Sequence, residues 1–204
     1  MDNPRENISG LILAGGAGRR FGGADKGLIE FQGTKLIQHV IDRLTSQVRE
    51  LYISCNRNFD SYAAFGYPLV KDDSITQSLQ QKNATDSYQG PLIGIASTMS
   101  QVTQGFLLVS SCDCPFLPGN LSADLYAALK QNKADVSYVF DGDRYQYLAS
   151  LWDISKTREK LQVYLRDGGR SVKGLYETLD VAIADLSGQQ DAFTNINQPG
   201  DMQR

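Results

Sequence analysis

The chain has little of what most side-chain catalysis depends on. Its 204 residues include one histidine, His39, three cysteines and one tryptophan. A lone histidine makes serine–histidine and cysteine–histidine catalysis poor readings, along with multi-histidine metal sites. His39 falls beside Gln38 within a helical stripe of Leu36, Ile37, Val40, Ile41 and Leu44, and reads as a surface or boundary residue. Cys55, Cys112 and Cys114 are too few for a disulfide framework, which fits a reducing compartment. The C-x-C at 112–114 has no second cluster and lacks ligands for structural zinc. There is no basic excess either: 20 Lys and Arg stand against 23 Asp and Glu, a net charge of −3. That lacks the positive footprint of a general nucleic-acid or membrane binder. No apolar run approaches the ~20 residues of a membrane span, and the polar stretch 1–7 carries no signal-peptide core. The expectation is a cytoplasmic protein with no nucleic-acid or membrane partner.

What is present is alternation. The length suits one domain of ordinary size. Apolar runs at 8–13, 51–54, 67–70 and 106–109 read as buried strands. Helical periodicity covers 35–48, a stretch opened by Pro91, the segment carrying Leu121, Leu125 and Leu129, and then 155–166 and 171–179. The runs 136–140 and 147–152 flank Asp141-Gly142-Asp143-Arg144 as a hairpin or bent pair, and a last strand falls near 181–184. Strand–helix alternation with continuous apolar strands predicts an α/β fold: a single Rossmann-like three-layer domain around a mostly parallel sheet. Ligands of such sheets bind at the carboxyl ends of strands. The polar stretch 74–89 reads as a surface loop near that rim.

The first strand runs into Leu13-Ala14-Gly15-Gly16-Ala17-Gly18-Arg19-Arg20-Phe21-Gly22-Gly23-Ala24-Asp25-Lys26-Gly27. Glycines let backbone N–H groups turn around phosphate oxygens, and Arg19, Arg20 and Lys26 add charge suited to them. No Walker glycine-lysine-hydroxyl run exists. A dinucleotide fold would need a helix directly after the glycines and an acid after the second strand. Glycines 22, 23 and 27 interrupt the first, the helix waiting until about Thr34, and Asn56-Arg57-Asn58 replaces the second.

L-A-G-G-x-G-R-R-F-G-G-x-D-K-G-L resembles the signature of nucleotidyltransferases with a glycosyltransferase-A-like fold, most of all their molybdenum cofactor guanylyltransferase branch. The likeness continues through Lys71-Asp72-Asp73, Gly90-Pro91-Leu92-Ile93-Gly94, Cys112-Asp113-Cys114-Pro115-Phe116 and Phe193-Thr194-Asn195-Ile196-Asn197-Gln198-Pro199, over nearly the whole chain. Sugar-nucleotide pyrophosphorylases usually show L-A-A-G and a proline before the lysine; Gly15 and Asp25 hold those places here. The resemblance implies the nucleotide-diphospho-sugar transferase type of fold, one domain over 1–204 whose first half binds GTP and whose second half binds the pterin substrate. It implies GTP contacts from Leu13, Ala14, Gly15, Gly16, Gly23, Lys26, Ser54, Asp73, Gly90 and Asp113, and pterin contacts from Asn195 and Asn197. Ser54 stands where asparagine is common, a shorter reach.

Asp113 follows a strand and precedes Pro115. A carboxylate there can hold Mg2+ with few other protein ligands, since that ion keeps waters and substrate phosphates around it. The family likeness makes Asp113 the metal ligand rather than a turn or cap aspartate. Arg20, Lys26 and Asp113 form the expected catalytic set, Cys112 and Cys114 being packing residues. The implied reaction is transfer of GMP from GTP to the terminal phosphate of molybdenum-molybdopterin by a monomer, with other cofactor-biosynthesis or delivery proteins as further partners. A nucleotidyltransferase using CTP or a sugar phosphate, and a non-catalytic nucleotide-binding or carrier protein, are the alternatives.

Overall fold

The computed structural model describes residues 4–14, 24–72, 90–197 and 201. Gly15, Gly16, Arg20, Gly23 and Asp73, and the segment 74–89, lie outside the described residues.

Strand β1 (Ile8–Leu13) is buried along its whole length. A hairpin of two short strands, β2 (Glu30–Phe31) and β3 (Thr34–Lys35), precedes helix α1 (Leu36–Leu44). Strand β4 (Glu50–Ser54), the short helix α2 (Phe59–Ala63) and β5 (Leu69–Val70) follow. Then come α3 (Pro91–Gln101), β6 (Phe106–Ser111) and α4 (Leu121–Asn132). The chain ends with β7 (Val136–Phe140), β8 (Tyr145–Asp153), α5 (Ile154–Arg166), α6 (Val172–Tyr176) and β9 (Val181–Asp185).

Seven strands form one sheet in the order β5-β4-β1-β6-β8-β7-β9. β5, β4, β1 and β6 run parallel, as do β7 and β9, while β8 lies antiparallel to both its neighbours. β1 therefore sits between parallel partners under helices on both faces, which is why its sequence is a continuous apolar run rather than an alternation. One face packs on α1 and α4 through Ile37, Val40, Ile41, Leu44, Leu121, Leu125 and Leu129. The other packs on α3, α5 and α6 through Leu92, Ile95, Met99, Leu161, Leu165 and Leu175. These are the three expected layers. No helix among the described residues is long and apolar enough to cross a membrane.

The departures from expectation have local causes. The stripe at 35–48 ends as helix at Leu44 and continues as a 3-10 turn over Thr45–Gln47, where Thr45 Oγ1 donates to Ile41 O at 2.7 Å. Thr34 is not helical but pairs with Phe31 across a turn in which Gln32 and Gly33 both have positive φ. The last helix keeps only Val172–Tyr176 of 171–179. The run at 147–152 is the middle of a nine-residue strand.

Candidate active site

Four parallel strands deliver their carboxyl ends to one rim. β1 is followed by Ala14, whose N–H donates to Ser54 O at 2.8 Å, and Leu13 O accepts from Cys112 N at 3.1 Å. The exits of β1, β4 and β6 are thus stitched together, so the positions of residues 14, 54 and 112 are set by backbone alone. Ser54 is buried, and a Cβ built on Gly94 would stand 2.6 Å from its Oγ. The glycine therefore lets α3 close over the strand end. Gly90, at φ +82°, turns the chain into α3, with Pro91 at the first helical position. The N-terminus of α3, whose first-turn N–H groups have no partner within the helix itself, opens at this rim.

Asp113 stands two residues beyond β6 and is nearly buried. Its Oδ2 accepts from Lys26 Nζ at 2.5 Å, and its Oδ1 accepts from Ser111 Oγ. Lys26 lies in a 3-10 turn (Lys26–Leu28) and donates a second bond, to Asn197 Oδ1, at 2.5 Å. Asn195 Oδ1 takes the Cys114 thiol at 2.7 Å, and Ile196 N donates to Asp113 O at 2.9 Å. Lys26, Asp113 beyond β6 and the segment around Asn195–Asn197 therefore meet at one point. Lys26, Asp113, Asn195 and Asn197 were all expected as site residues, and the structure brings them together. Asn197 reaches the lysine, a contact not legible from the asparagine's family role.

A second cluster supports the first and was not anticipated. Asp25, buried beside Lys26, accepts from Tyr62 OH at 2.6 Å and from Arg57 Nε and Asn58 Nδ2, both at 3.2 Å. Burial pushes the Tyr62 phenol far above its ordinary value, so it acts as a neutral donor. Gly27 lies over that ring, since a Cβ there would come 2.7 Å from Tyr62 OH. The polar run Asn56-Arg57-Asn58, which argued against a dinucleotide fold, is thus half of a clamp on the lysine loop. Asn56 Nδ2 also donates to Asp72 Oδ2 at 2.6 Å, tying in the end of β5. The signal available in the sequence was the acid directly before Lys26.

The cysteines behave as packing residues. All three are free and buried. Burial raises the Cys55 thiol to about 11 and Cys114 to about 12, and holds Cys112 well above the ordinary range, the opposite of a nucleophile's requirement. His39, on α1, is half-buried against the hairpin, its Nε2 2.9 Å from Phe31 O and 2.8 Å from Thr34 Oγ1, and it lines a cavity with Pro115 and Phe116. Among the described residues no group of three or more His, Cys, Asp or Glu could hold a metal. Asp113 alone suits Mg2+, which accepts few protein ligands and keeps water and substrate oxygens around it.

The arrangement suits a polyanion: a helix N-terminus, an ammonium and a carboxylate, the ammonium following directly on a glycine-rich stretch of sequence. Comparison with known proteins gives the family. A family model described as "MobA-like NTP transferase domain" matches residues 10–182. A Shewanella sediminis protein named molybdenum cofactor guanylyltransferase is 39% identical over 97% of this chain and 94% of its own length. One of the same name from Shewanella sp. strain MR-4 gives the same figures. Among solved structures, molybdopterin-guanine dinucleotide biosynthesis protein A from Archaeoglobus fulgidus superposes with a TM-score of 0.74 at 20% identity, covering 96% of this chain and 95% of its own. A 4-diphosphocytidyl-2C-methyl-D-erythritol synthase from Anaerococcus prevotii shares the fold at a TM-score of 0.69 and 13% identity, over 97% and 93%. By its near-complete match to the family model and to full-length relatives, this chain belongs to the MobA-like NTP transferase family.

Proposed function

We propose that the protein transfers GMP from GTP to the terminal phosphate of molybdenum-molybdopterin, giving the molybdopterin guanine dinucleotide cofactor and pyrophosphate. The observation that carries this reading is the Lys26–Asp113–Asn197 convergence at the sheet's carboxyl rim, in a chain 39% identical over nearly its full length to relatives named for that activity. The first half of the domain takes the nucleotide and the second half the pterin.

The chemistry asks little covalent work of the protein. An acceptor phosphate oxygen forms a bond to the α-phosphorus of GTP, and the bond from that phosphorus to the β-phosphate oxygen breaks. The nucleophile is already ionised, so no general base is required, in keeping with the scarcity of histidine. What is required is alignment of two anions and relief of their charge. Asp113 is the residue that would hold Mg2+, with substrate oxygens and water as further ligands. A divalent ion held by Asp113 would supply electrostatic stabilisation of the charge that develops on the phosphoryl oxygens. Lys26 exchanges its carboxylate and amide partners for triphosphate oxygens, and Asn197 and the Asp25 clamp keep it on the rim. Arg20 supplies a second cation from the glycine-rich segment. Gly90 and the N–H groups opening α3 approach the nucleotide through backbone, as do Leu13, Ala14, Gly15, Gly16 and Gly23. Ser54 and Asp73 complete the nucleoside side. The protein works as a monomer in the cytoplasm.

The test is incubation with each radiolabelled nucleoside triphosphate, the molybdenum-loaded acceptor and Mg2+, scoring dinucleotide and pyrophosphate. GTP should give product and CTP little. Product from CTP at an equal rate would overturn the guanine assignment, and no product without added divalent metal is the expected metal dependence.

A further inference from the structure

The second half of the molecule holds a feature that the phosphate chemistry does not use. Six of the chain's nineteen aromatic residues form one contiguous cluster on β7, β8 and α6: Tyr138, Phe140, Tyr145, Tyr147, Trp152 and Tyr176. Trp152 is its fully buried root, 5.4 Å from the Tyr176 ring. Tyr176 stacks on Tyr138 with centroids 5.1 Å apart and planes 4° from parallel. Tyr147 packs on both, at 5.9 and 5.2 Å. Tyr145 forms the tip, 6.2 Å from Tyr147 with planes 29° apart, and is 48% exposed. The rings lead from core to solvent without a break.

Its place in the fold gives the cluster meaning. β8 runs antiparallel to β6 with Val109 opposite Ser150. Its first residues therefore stand beside the end of β6, the strand that presents Asp113. β8 is also strongly bulged: Tyr138 pairs with Ser150, but the next residue, Val139, pairs with Gln146, leaving 147–149 outside the ladder. Bulges bend a strand and re-aim its side chains, and they recur beside active sites. Tyr176 OH donates to Tyr147 O at 2.9 Å, fixing the bulged backbone. A ring held half in solvent by ordered rings behind it presents a large flat surface at little further entropic cost.

We propose that Tyr145 and Tyr147 are the stacking platform for the pterin ring of the acceptor, with Tyr138 and Tyr176 as positioning residues behind them. The assignment rests on the functional reading above for the acceptor's identity. It adds the residues that recognise the ring, leaving Asp113 and Lys26 to its phosphate. Planar heterocycles on aromatic side chains gain enough for removal of one ring to weaken binding roughly tenfold.

The experiment titrates the full chain with unsubstituted pterin, followed by the pterin's fluorescence, and measures the two KM values in the transfer assay. Tyr145→Ala should weaken pterin binding about tenfold and raise the acceptor KM far more than the GTP KM. Tyr145→Phe and Tyr145→Trp should bind near wild type, because the ring and not the hydroxyl is used. Val163→Ala, at another exposed apolar position, on α5, is the control and should match wild type. No pterin binding by the wild-type chain, or equal binding by Tyr145→Ala, would overturn the platform even if GMP transfer proceeds. Ring-dependent pterin binding without GMP transfer would support the platform and overturn the functional reading alone.

Discussion

Asp113 and Asp135 are both nearly buried aspartates, each with a lysine ammonium close by, at 2.5 Å for Lys26 and 2.6 Å for Lys160. Taken as ion pairs they are hard to tell apart. They sit at opposite ends of the sheet. Asp135 precedes β7, at the amino ends of the parallel strands. Its Oδ2 also accepts from Asp180 N at 3.2 Å, its own N–H donates to Asp180 O at 2.7 Å, and Lys156 lies 3.9 Å away. This carboxylate fastens β7 to the entry of β9, and its two lysines reach back from α5. Asp113 fastens less: one backbone bond through its carbonyl and a neighbouring hydroxyl, with a lysine that is itself shared with Asn197. The comparison teaches that a short ion pair does not mark a site. A carboxylate whose partner can leave for another anion, at the rim where strands end, does.

The largest expected effect breaks the comparison at Asp113. Asp113→Ala should lower dinucleotide formation about 10²- to 10³-fold, since metal charge stabilisation is worth several kcal/mol and each ~1.4 kcal/mol is tenfold. Its melting temperature should fall by no more than a few degrees. A destabilised but fully active variant would make Asp113 a structural turn residue. Next, Lys26→Ala should slow transfer about ten- to a hundredfold, the range of a lost charge-assisted hydrogen bond, while its far-UV circular dichroism stays that of the wild type. Unaltered turnover at both saturating and low GTP would remove the assigned role.

The opposite end of the sheet should respond in stability instead. Asp135→Ala leaves the Asp180 N–H without its side-chain acceptor while the exposed lysines re-enter water, so a loss of about 1–3 kcal/mol is expected in urea unfolding. Turnover below the transition should match the wild type, and a tenfold loss of activity would erase the distinction. The smallest effect is in pH. The hydrogen bond to Asp135 raises the Lys160 pKa. A base raised on folding stabilises below its unfolded value, and the contribution fades as pH rises through the folded value. The melting-temperature gap between wild type and Lys160→Gln should therefore narrow above the ordinary lysine range. With a largely exposed ammonium it stays under ~1 kcal/mol throughout.

Much of this was legible in the sequence, for physical reasons. β1 is continuous apolar chain because both its faces are covered, and its limits at Ile8 and Leu13 could be read directly. Asp113 and Lys26 stand out because a strand end and a glycine-rich outlet are places where charge has a purpose. What escaped was either short or distant. The two-residue strands β2 and β3 and the five-residue α2 carry too few residues for any periodicity to show. The bond from Lys26 to Asn197 spans 171 positions, and that from Tyr62 to Asp25 spans 37; no local pattern encodes either. The hairpin at 141–144 was readable, but the three-residue bulge in β8 was not, since it depends on how β7 meets a strand inserted beside β6.

The strand order also has a consequence in time. β1 gains its first neighbour, β4, within about forty residues, but its second, β6, pairs Phe106 with Ile8 only about a hundred residues later. Closing so long a loop is slow. During synthesis the whole glycine-rich segment and the Asp25 clamp emerge from the ribosome long before Asp113 exists. One flank of β1 is meanwhile open and apolar, a natural client for chaperones and a template for mispairing. Refolding yield should then depend on protein concentration more than final stability does, and Asp113 should be among the last residues to find its place.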